Sequence, residues 1–143
     1  MKARALIDAI ASQIEAIEPA DTQSAVDRFA RVKGRQSDDE LTGRRLFALR
    51  WTSPLPTTPP TQGVSCTRYV AGLALVVGYA DPAAGQGRCG DDAQSITDAI
   101  QGLPRTIPAA DIINTSTIQS SADSVTEGAI IASYQFEIEF SGS

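Results

Sequence analysis

From Ile130 to Phe140 the chain alternates. Ile130, Ala132, Tyr134, Phe136, Ile138 and Phe140 are apolar, and Ile131, Ser133, Gln135, Glu137 and Glu139, mostly polar, stand between them. Alternation of this length marks a strand with one face on a core and the other in water. Any fold open to this chain must therefore contain a sheet that includes this segment. A second long strand is expected over Cys66–Tyr79. Tyr69, Ala71, Leu73, Leu75, Val77 and Tyr79 share one face, and Val70, Gly72, Ala74, Val76 and Gly78 share the other. The small face predicts a helix packed closely on it.

Leu6, Ile10, Ile14 and Ile17 form one apolar stripe, predicting a helix over Lys2–Ile17 that Glu18-Pro19 ends. Residues 20–30 read as a weak strand or a turn that carries Phe29 inward. A strand follows over Arg44–Trp51, with Phe47, Leu49 and Trp51 on one face. Residues 80–90 read as a turn-rich connection. A second helix is expected over Asp91–Leu103, capped by Asp91 and Asp92 and buried through Ala93, Ile96, Ile100 and Leu103. A further strand is expected over Ala110–Ile118. The fold class that follows is α+β: a two-layer sandwich, mostly antiparallel sheet, with two helices packed on one face. Residues 1–143 form a single domain, with mobile loops expected near 33–43, 52–65 and 119–128.

Composition removes many functions. No histidine is present, which excludes Ser-His-Asp and Cys-His catalysis. Cys66 and Cys89 cannot build a four-thiolate zinc site; they are either a disulfide or two reduced, inert thiols, and cytoplasmic synthesis fits the thiols better. Cys89, near the expected helix start, is a candidate for a lowered pKa, with no base to pair with it. The formal charge of −5 argues against a dedicated nucleic-acid binder. Gly85–Gly90 before a helix is a poor phosphate cradle, because Asp91 and Asp92 place negative charge where the phosphate would sit. Asp38-Asp39-Glu40 lacks the ligand spacing of a calcium loop. The apolar run Val70–Val77 is too short to span a membrane, and Asp8 interrupts any signal-peptide apolar region. No catalytic residue, cofactor or metal site is expected.

Two clusters remain. Trp51 with Pro54, Leu55, Pro56, Pro59 and Pro60 is either a loop packed on its own sheet or a surface meant for another chain. The basic stretch Arg28, Arg31, Lys33, Arg35, Arg44 and Arg45 is either a solvated segment offset by Asp38, Asp39 and Glu40 or a contact for a phosphate or an acidic partner. Trp51, Pro54, Leu55, Pro56, Arg44 and Arg45 are thus the candidate protein-interface residues. Glu137 and Glu139 share the polar face of the last strand and suit solubility or a subunit interface.

The order of these segments resembles the tail terminator (tail completion) proteins of long-tailed bacteriophages and related gene-transfer particles. The likeness runs through the amphipathic first helix, Phe47–Trp51, the long strand Arg68–Tyr79, the helix from Asp91 to Ile100, and the closing strand Ala132–Phe140. It lies in element order and includes no sharp motif. The Pro-rich loop and the Arg28–Arg45 region have no counterpart in that pattern. The resemblance implies a hollow ring, commonly a hexamer, that caps the tail tube, stops its growth and meets the head-side connector. It implies contacts with the tail tube protein and neck proteins, and passage of DNA without specific binding. It also implies a place at the tail–neck junction of the virion after assembly in the host cytoplasm, with no membrane partner. Glu137 and Glu139 would then be candidate channel-facing or interface acids. Other neck or tail components, and a small ligand- or peptide-binding α+β module with an apolar pocket near Gly72 and Gly78, are the competing expectations.

Overall fold

A computed structural model of the protein describes residues 3–18, 28–32, 45–52, 68–79, 82–107, 112–124 and 130–141. The architecture is α+β. The elements in order are α1 (Ala3–Glu15), β1 (Ala30–Arg31), β2 (Leu46–Trp51), β3 (Arg68–Tyr79), α2 (Pro82–Gln101), α3 (Leu103–Thr106), β4 (Ile112–Thr115), β5 (Gln119–Ser124) and β6 (Ile130–Ser141). The sheet runs β1-β2-β3-β6-β4, and β5 also pairs with β6. All pairings are antiparallel except β1 with β2.

β3 and β6, each 12 residues long, pair end to end from Arg68↔Ser141 to Tyr79↔Ile130. Their bulky faces point the same way. Leu73, Leu75, Val77, Tyr134, Phe136, Ile138 and Phe140 are buried there together with Phe47 of β2. Tyr69 and Phe140, opposite each other in register, stack at 5.8 Å between ring centroids. The helices close this face. Leu6, Ile10 and Ile14 of α1 and Ile96 and Ile100 of α2 are fully buried, while Asp8, Ser12, Gln94 and Asp98 on the opposite sides are exposed. The helices thus cover the bulky face and not the small-residue one expected to receive them. Their Leu and Ile stripes bury more apolar area against Leu and Phe than against Gly and Ala. The small face carries its own minor cluster of Ala48, Val76 and Ile131, with Val32 and Leu46 beside it and no helical residue.

α2 begins at Pro82, well before the expected Asp91, so the segment read as a turn-rich connection is helix from Pro82 onward. Proline suits a helix start because its missing N–H has no partner there in any case. Three glycines follow, each unfavourable in a helix by about 1 kcal/mol. Tertiary contacts of Cys89, Asp92 and Ala93 outweigh that local preference. Asp91 and Asp92 are consequently mid-helix residues and not caps. The helix stops where expected. Pro104 cannot donate to the Ile100 carbonyl, so the chain re-forms as α3, with the Arg105 and Thr106 amides donating to the Gly102 carbonyl at 2.9 and 3.0 Å.

Residues 119–124, expected within a loop, form strand β5. β4 and β5 lie in line along the free side of β6, as one edge strand with two irregularities. The register slips once between Ile112 and Asn114. It slips again between Thr115↔Ile138 and Gln119↔Gln135, where one side advances four residues and the other three. At the second slip the Ser116 amide donates to the Glu137 carbonyl at 2.9 Å, but the Glu137 amide donates to Ser116 Oγ at 2.8 Å. A side-chain hydroxyl thus replaces a ladder carbonyl and lets the chain step outward. The loop expected at 33–43, and that expected at 52–65 apart from Thr52, lie outside the described residues.

Candidate functional site

The sheet face turned away from the helices holds the recess. Along it, Gly72 of β3 stands opposite Glu137 of β6, and Ala74 stands opposite Gln135. Gly72 has no side chain to fill its position. Thr52, just past the end of β2, donates its amide to the Gly72 carbonyl at 3.0 Å. A Cβ at residue 72 would run into Thr52 Oγ1, so the Thr52 side chain occupies the space the glycine leaves and would have to shift for any larger residue. Across the strand pair, the slip at Ser116 carries Ser116 and Thr117 to the rim. The result is an open groove of about 350 Å³ lined by Thr52, Gly72, Leu73, Ser116, Thr117, Gln119, Gln135, Phe136 and Glu137. It lies at Gly72, where an apolar pocket was one expectation, but its side chains are chiefly hydroxyls, carboxamides and one carboxylate. Gly78, also named for that pocket, is buried and does not line it.

A second polar arrangement is fully internal. Arg45 and Asp92 are each 1% exposed. Arg45 Nε donates to Asp92 Oδ2 at 2.6 Å, and a guanidinium nitrogen reaches Oδ1 at 3.3 Å. The Tyr79 hydroxyl donates to Oδ2 at 2.9 Å, and the guanidinium lies 5.8 Å from the centre of the Phe29 ring. This cluster joins the chain before β1, the start of β2, the end of β3 and the middle of α2. Arg45 holds φ at 52°, a left-handed conformation uncommon outside glycine. Burial, followed by the Asp92 charge, pushes the Tyr79 hydroxyl far above its ordinary pKa. Tyr134 is raised chiefly by burial as well. Cys89 is a half-buried free thiol, and its pKa is raised, not lowered, by burial and then by Asp92. It sits inside α2, away from the helix start that would have favoured a thiolate.

The structure separates the expected interface residues. Arg45 is withdrawn into the core, so it offers no contact surface; its charge is matched by Asp92. Trp51 is partly buried against the main core, consistent with a residue turned toward its own sheet. Arg44, Pro54, Leu55 and Pro56 lie outside the described residues. Glu137 is exposed and Glu139 half-buried, both on the sheet face opposite the helices. Sequence reasoning missed the Arg45–Asp92–Tyr79 cluster and the roles of Thr52 and Ser116. Only the apolar context of Asp92, between Cys89, Ala93 and Ile96, hinted at burial.

Among the described residues, no group of three or more His, Cys, Asp or Glu side chains is placed to hold a metal ion, and no helix is long and apolar enough to cross a membrane. Compared with known proteins, the chain matches no family model and no curated sequence.

Proposed function

We propose that this chain is a structural virion protein that forms a ring at the tail–neck junction of a long-tailed phage or related particle. The ring ends tail-tube growth and presents a surface to the head-side connector, acting by protein–protein contact and not by catalysis. The observation that carries this reading is the order and length of elements. An amphipathic helix precedes a short strand pair, and a long central β3–β6 pair is backed by an intervening helix. That order is the one in which the chain resembles tail terminators. The β5 edge, exposed at Gln119 through Ala122, supports a subunit that meets neighbours. Glu137 and Glu139 on the helix-free face suit either an interface or a channel lining that DNA does not grip.

Mass photometry with negative-stain imaging of the purified protein tests this. Closed rings of roughly six subunits that do not elongate are the expected product, either alone or on addition of purified tail tubes. Long cylinders would indicate a tube subunit instead. A monomer or dimer that ignores tail tubes would favour the second reading, a small binding module, for which the groove at Gly72 is the supporting observation.

A further inference from the structure

We draw no further inference here: the strongest candidate, the edge strand β5 (Gln119–Ser124) with its exposed residues Gln119 to Ala122, is the surface on which the ring reading already leans, and nothing in the structure shows what covers it.

Discussion

Arg45 holds a left-handed backbone that sterics disfavour by about 1–2 kcal/mol for an L-residue, and it does so in the core. What fixes it there is the carboxylate of Asp92, itself held by Tyr79. Breaking one side of such a pair leaves an uncompensated buried charge. Asp92→Leu is therefore expected to destabilise the protein by roughly 3–5 kcal/mol in urea unfolding, whereas the Arg45→Met/Asp92→Leu double variant recovers most of that loss. Tyr79→Phe removes one hydrogen bond to the carboxylate and is expected to lower stability by about 2 kcal/mol. The tyrosines also set an alkaline limit. The Tyr79 and Tyr134 hydroxyls have raised pKa values in the folded state, so their contribution is fully present below the unfolded value near 10. It is lost as pH rises beyond that. Phenolate absorbance should show both groups ionising together with unfolding and not before it. Little of this was legible in the sequence beyond the apolar neighbours of Asp92. Arg45 looks like one more member of a basic run, and Asp92 looks like a cap. Both assignments fail for the same reason: charge pairing between residues far apart in the chain leaves no local pattern.

At the scale of elements, legibility followed the origin of the pattern. α1, β3 and β6 bury one face each, and a one-sided face writes its period into the sequence. β5 lies at the edge with residues exposed on both sides, so its polar sequence carries no alternation and resembles a loop. The first turns of α2 contain glycines that local propensity disfavours in a helix, so that stretch reads as a turn. The groove depended on two details that pattern reading cannot supply, the crossing of Thr52 over Gly72 and the Ser116 substitution in the ladder. Each has a measurable consequence. Gly72→Ala should destabilise by about 1–3 kcal/mol through overpacking, and adding Thr52→Ala should relieve part of it, giving a non-zero coupling in a double-mutant cycle. Ser116→Ala leaves the Glu137 amide without its hydroxyl partner. At this exposed site the expected loss is about 0.5–1 kcal/mol, with faster amide exchange at Glu137. Cys89 gives a third check. In a Cys66→Ser background, its raised pKa and half-burial should slow its reaction with a disulfide reagent at pH 8, relative to the urea-unfolded chain.

The whole molecule is a sheet whose central pair is made late. β6 lies between β3 and the β4–β5 edge, and it follows every other described element in the chain. Its contacts reach from Ser141 back to Arg68, so much of the core depends on pairings between distant segments, which slows folding. For a chain leaving the ribosome the consequence is specific. Until residues 130–141 emerge, β3 has only β2 beside it in the sheet, and its other edge has no partner. The nascent chain must wait in that state, with helices formed but nothing complete to lie on. Slow decoding just before Ile130 would prolong the interval in which a neighbouring nascent chain can take the place reserved for β6.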